Sequence, residues 1–425
     1  MSFLLNDYIY EMRRCMRCSS CKWIDHIYMP NNRFVYRCPS YGKYYFAQVA
    51  YGRMKVGLAL AEGRLGNTPK LMDTVFQCTM CGACDSGCKR NLDLEILNSL
   101  EALRGWMVEK GWYPKAYDKV VNSIEKSHNK FGLPHESRDQ WVNGTKLEKK
   151  AETIYFAGCA ASYSNKEIAQ STAKILNGAG IKFNLLPEEE CCGHPLFVMG
   201  HFKAFQKQLD HNLALMKKTG AKRLVTSCAE CYKTWKVDYP RWLKMNTKDL
   251  GFEVVHITEL VAPLVMNNIL KLNNPLELKM AWHDPCNLGR MSEPWTHWEG
   301  TRGQWACLEP KEGFPPKEFR RGTSGIYDQP RDILSRIPGV EVLEMPRHHE
   351  FSWCCGGHGG ASEAYPDLVA YSVSERLEEA KSIGAEAIVS SCPYCKQTLL
   401  SGVKDRKDSF KVYDITEVIA QAMNK

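Results

Sequence analysis

The chain has 425 residues, 44% hydrophobic and 24% charged, ordinary for a globular protein and long enough for two or three domains with sizeable cores. A net charge of +8 is modest at this size; it admits an acidic partner or an anionic substrate and makes no case for nucleic acid. Nineteen cysteines, an odd number gathered into C-x-x-C and C-C groups, exclude a secreted disulfide scaffold and point to metal ligation in a reducing cytoplasm. The most apolar stretch, 257–270, is too short to span a membrane and is interrupted by Pro263. The N-terminus, with acidic residues and a cysteine cluster at once, does not read as a signal peptide, so any membrane contact is expected to go through a partner.

Two cysteine runs stand in the first hundred residues. Cys78, Cys81, Cys84 and Cys88 fit C-x2-C-x2-C-x3-C, the bacterial ferredoxin spacing in which a tight loop brings three thiolates to one cubane. Cys15, Cys18 and Cys21 repeat the triplet, but sixteen residues separate Cys21 from Cys38, where three are usual. The Pro39 after Cys38 keeps it among the ligands. In two-cluster ferredoxins the fourth cysteine of each run serves the other cluster. One cubane is therefore expected on Cys15, Cys18, Cys21 and Cys88, the other on Cys38, Cys78, Cys81 and Cys84. Zinc is the alternative for paired C-x-x-C units; three sulfurs within seven residues suit a cubane better than a tetrahedron. The long insert, KWIDHIYMPNNRFVYR, is aromatic and reads as a small hairpin. Residues 41–64 and 92–110 read as helices, so residues 1–114 form a helical module with cluster loops between helices. Residues 115–150 read as a linker, with a helix-like piece near Val120–Ile124 and a polar surface connection over 134–150.

The rest of the chain repeats itself. GAKRLVTSCAECYKT at 220–234 matches GAEAIVSSCPYCKQT at 384–398, and HITELVAPLV at 256 matches DITEVIAQAM at 414. Cys191-Cys192-Gly193 answers Cys354-Cys355-Gly356, and Cys159 answers Cys286. The first half reads C-x31-C-C-x35-C-x-x-C, the second C-x67-C-C-x36-C-x-x-C, with an insert at about 287–324. Strands are expected at Thr153–Ala157, Lys182–Leu186, Arg223–Ser227, Leu278–His283, Glu341–Glu344 and Ala387–Ser391. Helices are expected at Asn165–Ala179, Ala204–Lys218, Gln329–Ile337 and Ala364–Ile383. That alternation predicts an α/β fold with a largely parallel sheet in each of two halves, 151–275 and 276–425, and cysteines at the strand ends.

The repeated pattern resembles the CCG domains of heterodisulfide reductases, and the whole chain resembles their fused, D-type subunit. The longer first gap of the second half is the one departure. The resemblance implies a duplicated domain with pseudo-twofold symmetry and an unusual noncubane [4Fe–4S] cluster on each five-cysteine motif. Carried over residue by residue, Cys159, Cys191, Cys192, Cys228 and Cys231 hold one such cluster, and Cys286, Cys354, Cys355, Cys392 and Cys395 the other. Eighteen of nineteen cysteines are then accounted for, leaving Cys307.

The implied activity is that of an anaerobic oxidoreductase acting on sulfur groups. Two cubanes carry single electrons, and two noncubane clusters share the two-electron cleavage of a disulfide. His194 and His358, close behind the two C-C-G turns, are candidates to donate to a substrate sulfur or tune a cluster, against the plainer reading of loop histidines. Arg290, Arg302, Arg320 and Arg321 are candidates to meet an anionic group of a bulky thiol, against a solvated basic loop. No dinucleotide fingerprint or P-loop is present, so no flavin or nucleotide of its own is expected. Electrons then pass to or from a partner, a flavin-containing subunit or a membrane cytochrome b. A non-catalytic relay in a larger complex, of flavin-based bifurcating, benzoyl-CoA-reductase or membrane quinone-linked type, is the alternative.

Overall fold

The computed structural model describes residues 4–89, 93–302, 313–315 and 317–424. Cys307 lies outside the described residues, and so does the side chain of Arg302.

The chain after residue 150 forms two open parallel sheets. The first contains β1 (Thr153–Tyr155), β2 (Phe183–Leu185), β3 (Arg223–Thr226) and β4 (Glu253–His256), in the order β2-β1-β3-β4. β5 (Leu278–Trp282) opens the second half, and a short antiparallel pair, β6 (Thr301–Arg302) and β7 (Gly313–Phe314), lies in its insert. With β8 (Val340–Leu343), β9 (Ala387–Ser390) and β10 (Lys411–Asp414), β5 builds the sheet β10-β9-β5-β8. Read from its other edge this is β8-β5-β9-β10, the same order as the first sheet. The sequence repeat is therefore a repeat of fold.

The strands are short, with charges confined largely to their ends, and most of their apolar residues are buried because helices cover the sheet faces, as parallel sheets require; β1 and β9 are buried along their full length. Helices return the chain between strands. Phe202–Thr219 shows the logic: Phe205, Leu209, Leu213 and Met216 recur at spacings of three and four and face the core. The matching HITE and DITE segments are capping boxes. His256 Nδ1 accepts from the Thr258 N–H, and Asp414 Oδ1 from the Thr416 N–H; Glu259 and Glu417 accept the cap N–H at 2.9 and 2.7 Å. β4 and β10, which run directly into these caps, are additions to the strands expected from sequence.

The halves meet reciprocally. The last helix of the second half, Ile415–Ala422, packs on the first helix of the first half, Lys166–Gly178. The last helix of the first half, Ile257–Met266, packs on Asp328–Ser335 of the second. A pseudo-twofold relation produces this swapped pairing, and one core, including Val261, Ile333, Ile419 and Ala173, runs between the sheets.

The first 114 residues are helical, with Ile9–Arg14, Ala50–Ala61, Pro69–Phe76, Ala83–Lys89 and Ile96–Glu109 as the main helices. The single helix expected over 41–64 is broken. Pro39–Lys43 ends where Tyr44 and Tyr45 leave the helical region, and the Tyr44 hydroxyl turns to donate to Asp367 at 2.9 Å. The insert after Cys21 closes as a small hairpin, with Ile24 N donating to Val35 O and Arg37 N to Lys22 O, each at 2.8 Å. Within residues 115–150, Tyr117–Ser127 is a helix. The stretch after it is more than a solvated connection: Trp141 is 1% exposed against Tyr155, and Arg138 reaches Glu189 at 3.2 Å. Among the described residues no helix is long and apolar enough to cross a membrane.

Candidate functional site

Cys159, Cys228, Cys286 and Cys392 follow the carboxyl ends of β1, β3, β5 and β9, the edge where parallel sheets present their ligand-binding loops. The C-C-G turns come to them from the side. Gly193 and Gly356 are left-handed at φ +83° and +92°, a conformation glycine takes without strain. Each turn folds its N–H back onto the first cysteine, Gly193 N to Cys191 Sγ at 3.4 Å and Gly356 N to Cys354 Sγ at 3.3 Å.

Different residues clamp the two turns. In the first half Asn212 Nδ2 donates to Cys191 O at 3.0 Å, and Glu189 accepts from Ala157 N and Gly158 N at 3.2 and 2.9 Å, tying the turn to the Cys159 loop. In the second half Ser372 Oγ donates to Cys354 O at 2.7 Å, and Ser352 Oγ to Asp284 O at 2.8 Å, two residues before Cys286.

The ten thiols form two convergent sets. Cys191 contacts Cys159 and Cys192, and Cys192 contacts Cys231, which touches Cys228. Cys354 contacts Cys286 and Cys355, and Cys355 contacts Cys395, which touches Cys392. All ten are buried and none is in a disulfide. In each C-C pair the second sulfur is favoured as thiolate: Cys192 by hydrogen bonds from Cys191 and Cys231, Cys355 by hydrogen bonds from Cys354 and Cys395. The sets touch across the pseudo-twofold, Cys228 against Cys392.

The N-terminal cysteines fall into two further groups. Cys38, Cys78, Cys81 and Cys84 line one internal cavity. Ser40 Oγ, donating to Gln77 O at 2.7 Å, and Arg53, donating to Thr74 O at 2.9 Å and to Gln77 O, draw the Cys38 loop onto the second run. Cys15, Cys18 and Cys21 lie together, with Cys88 close to Cys15. Burial pushes the Cys21 thiol up to about 12 and the Cys38 thiol up to about 11, so without a cation both are protonated. Binding of iron by these two thiols would therefore release protons.

The groups adjoin in one series. Cys21 neighbours Cys38, and Cys81 contacts Cys354. Arg290 and Arg104 fix this junction. Arg290, expected near a substrate anion, is spent on carbonyls instead: Nε donates to Cys81 O at 2.7 Å and Nη1 to Ser352 O at 2.6 Å. Arg320 likewise donates to Glu293 O at 2.6 Å and lies over Trp295, and Arg321 lies over Phe319. Arg104, which the sequence did not single out, is fully buried. It donates to Phe76 O at 3.0 Å and Cys78 O at 2.8 Å in the N-terminal module, to Val198 O at 2.8 Å in the first half and to Gly359 O at 2.7 Å in the second. Gly359, at φ +71°, lies so close to the Cys78–Thr79 backbone that a Cβ would stand 2.7 Å from Cys78 O.

His194 and His358 meet between the halves, Nε2 to Nε2. His358 Nδ1 donates to Thr79 O at 2.6 Å, and His194 Nδ1 contacts Thr234 Oγ1 at 3.0 Å. Burial holds His194 down to about 3, so it is neutral. Beside them, Glu230 and Tyr394 occupy equivalent C-x-x-C positions, Glu230 facing Cys392 and Tyr394 facing Cys159. His283, just after β5, was missed; its place in WHDPC was the available signal. Arg376 Nε donates to its Nδ1 at 2.9 Å, which leaves Nε2–H for the neighbouring Cys355 thiolate. A cleft of about 410 Å³, within the range of small-molecule sites, opens beside Gly357 and Tyr394. Lys130 stands in it, 2.9 Å from Glu363 and 4.9 Å from the Tyr394 ring centroid.

Two family models match the chain: a cysteine-rich domain, CCG, over residues 153–236 and 317–400, and a 4Fe-4S dicluster domain over residues 11–92. The chain is 32% identical to the D subunit of the dihydromethanophenazine:CoB–CoM heterodisulfide reductase of Methanosarcina barkeri, across 98% of this chain and 95% of that one. The corresponding protein of Methanosarcina mazei gives the same identity and coverage, 32%, 98% and 95%. The EtfAB:quinone oxidoreductase of Syntrophomonas wolfei is 28% identical over 83% of this chain, which spans 47% of that longer protein. With both cysteine-rich repeats and the dicluster region in place along nearly its whole length, the chain belongs to the D-type family of heterodisulfide reductase subunits, iron–sulfur components of oxidoreductases.

Proposed function

We propose that this chain exchanges single electrons with a partner and uses them in pairs to cleave, or in reverse to form, a disulfide between small thiols. The observation that carries the reading is the pair of complete cysteine pentads set against one another, with Cys228 touching Cys392. The module of residues 1–114 holds two cubane [4Fe–4S] clusters, one on Cys15, Cys18, Cys21 and Cys88, the other on Cys38, Cys78, Cys81 and Cys84. Residues 115–150 join it to the two halves, 151–275 and 276–425. The pentads Cys159, Cys191, Cys192, Cys228, Cys231 and Cys286, Cys354, Cys355, Cys392, Cys395 hold a noncubane [4Fe–4S] cluster each. The donor sets fit: convergent thiols free of disulfides, all buried in the pentads and mostly buried in the N-terminal groups, in numbers that match each group. When bound, the clusters supply one-electron carriers and, in the pentads, sites for sulfur.

The balanced reaction is R–S–S–R′ + 2 e⁻ + 2 H⁺ → R–SH + R′–SH. The chain's own residues order and shelter it. Adjacency of Cys21 to Cys38 and of Cys81 to Cys354 sets a path from the N-terminal module into the second half. The cleft at Gly357 and Tyr394, walled by the second half and by Lys130 and Phe131, is the proposed entry for the disulfide, with the Lys130–Glu363 pair at its wall. His283 donates to Cys355, and the buried His194–His358 contact keeps bulk water from the floor of the site. Electrons come from a cytoplasmic flavin-containing subunit or from a membrane cytochrome b.

A second reading, a relay subunit without a thiol substrate, is favoured by the similarity to the EtfAB:quinone oxidoreductase, whose name carries no sulfur chemistry. Anaerobic purification, iron analysis and EPR during turnover with reduced viologen and the coenzyme M–coenzyme B heterodisulfide separate the two. Substrate-dependent signals with thiol release support the disulfide reading. Reversible one-electron signals alone, with all clusters present, support the relay.

A further inference from the structure

The two pentads have the same ligands but different surroundings. β1 and β5 each run on into one more residue before the cysteine loop, Phe156 in the first half and His283 in the second, three positions ahead of Cys159 and Cys286. These two residues are equivalent in the fold. Phe156 N donates to Val225 O and His283 N to Val389 O, each at 2.8 Å, and Val225 and Val389 match in the repeat. Phe156 is fully buried, edge-on to Trp235 at 5.4 Å, and has no donor to offer a sulfur. His283 has a ring N–H, and Cys355 is its neighbour: the ligand atoms of His283, Cys355 and Cys395 lie within 4.8 Å of one another. In the first half Cys192 accepts from the main-chain N–H of His194 instead.

The position that orients His283 changes together with it. Counted back from Gly220 and Gly384 of the repeat, Asn212 and Arg376 correspond. Asn212 is short and serves the turn carbonyl of Cys191. Arg376, fully buried, reaches the histidine: Nε donates to the ring Nδ1 at 2.9 Å, so the ring carries its proton on Nε2. Arg376 is itself fixed. Nη1 donates to Glu379 at 2.8 Å and to Arg347 O at 2.9 Å, and Glu379 accepts from Arg347 N at 2.6 Å. The Arg347 guanidinium lies 4.1 Å from the ring centroid of Trp353, the residue before Cys354. The second half thus has both the histidine and the arginine that orients it, where the first half has Phe156 and Asn212.

We infer that His283, positioned by Arg376, eases reduction of the cluster on Cys286, Cys354, Cys355, Cys392 and Cys395, so that two pentads with the same ligands differ in potential, the second-half one being the easier to reduce. The inference rests on the cluster assignment proposed above. An N–H aimed at a thiolate stabilises the negative charge that an added electron brings, and hydrogen bonds to the sulfurs are among the levers that set such potentials. The step is a one-electron reduction. The electron comes from the partner donor, no bond forms or breaks, and the ring keeps its proton.

The test is a redox titration of the iron-loaded protein, purified anaerobically and followed by EPR, in wild type, His283→Phe and His283→Gln. His283→Phe, which writes the first-half residue into the second half, is expected to disfavour reduction of one pentad cluster about tenfold, about 59 mV for one electron. The other pentad and the N-terminal clusters are expected to keep their potentials, and the iron content to stay the same. His283→Gln, which keeps an N–H donor, is expected to titrate close to wild type. Pulsed EPR of wild type isotope-labelled at the histidine ring nitrogens decides the matter if His283→Phe fails to hold iron: the more easily reduced pentad signal is expected to carry a ring-nitrogen coupling. Pentad potentials that His283→Phe leaves in place, or a more easily reduced signal without that coupling, overturn the inference. Absence of both pentad signals from iron-replete protein overturns the cluster assignment with it. If the shift and the coupling are found but no disulfide is turned over, the inference stands and the disulfide reading falls.

Discussion

Arg104 donates to carbonyls of the N-terminal module and of both halves, so its removal is an informative structural perturbation. Replacing it with Met keeps bulk and apolar stem but removes a donor from four carbonyl oxygens, those of Phe76, Cys78, Val198 and Gly359, bound at 2.7–3.0 Å. Phe76 O keeps the Cys78 N–H at 2.6 Å and Gly359 O the Tyr117 hydroxyl at 3.5 Å, so the oxygens of Cys78 and Val198 bear the loss. A stranded buried acceptor costs about 1–3 kcal/mol, and two cost about 2–6. Against this, the wild type bears the desolvation of a fully buried guanidinium, which a neutral Met is spared. Balancing the two, Arg104→Met should destabilise by about 3 kcal/mol, a little over a hundredfold in the folding equilibrium. Arg104→Lys keeps the charge but has no planar fork to reach four carbonyls, and should fall between. The assay is anaerobic denaturant unfolding of the iron-loaded proteins, with hydrogen exchange at Phe76–Thr79 and Gly359 to localise the change. Unfolding of Arg104→Met within about 1 kcal/mol of wild type, or loosening spread evenly over the chain, would refute this role for Arg104.

Other perturbations probe separate parts of the molecule. Cys88→Ser should remove the EPR signal of the cluster on Cys15, Cys18 and Cys21 and spare that on Cys38, Cys78, Cys81 and Cys84; the reverse pattern means that the ligands are not crossed. Gly359→Ala, which must place a Cβ 2.7 Å from Cys78 O at φ +71°, should lower iron loading at the second run, and full iron occupancy would count against the tight approach. Asp414 is held by burial at about 8, above its ordinary 3.8, so the folded state binds this proton more tightly than the unfolded chain. Stability should therefore fall as pH rises through this interval, by up to about 4 kcal/mol between pH 5 and 8. Asp414→Asn, which keeps the cap oxygen, should flatten that slope; an unchanged slope in urea titrations at pH 5 and 8 would remove Asp414 as its cause.

The cysteine groups and the repeat were legible because coordination and duplication both write fixed spacings. The fold class followed from short apolar strands alternating with helices. β4 and β10 escaped because each places only two apolar residues between an exposed opening charge, Glu253 or Lys411, and the helix cap that follows at once, His256 or Asp414. The broken helix near Tyr44 escaped because local periodicity carries no sign of Asp367, more than three hundred residues away. Arg104 read as an ordinary helical arginine, since its four partners come from three separate regions. The meeting of His194 with His358 was hidden by different offsets, two residues after one C-C pair and three after the other.

The contact of Cys81 with Cys354 has a consequence for how charge fills the molecule. Both halves pack on the N-terminal module, but among the described residues the thiol contact between module and pentads is made to the second half, and the pentads touch through Cys228 and Cys392. With the clusters held as proposed, the pentads would be wired in series, the second-half pentad as an intermediate reservoir and the first-half pentad as the terminal one. Damage to the first should leave the second chargeable, while damage to the second should isolate both. A fold that is symmetric in its strands is, as a circuit, directional.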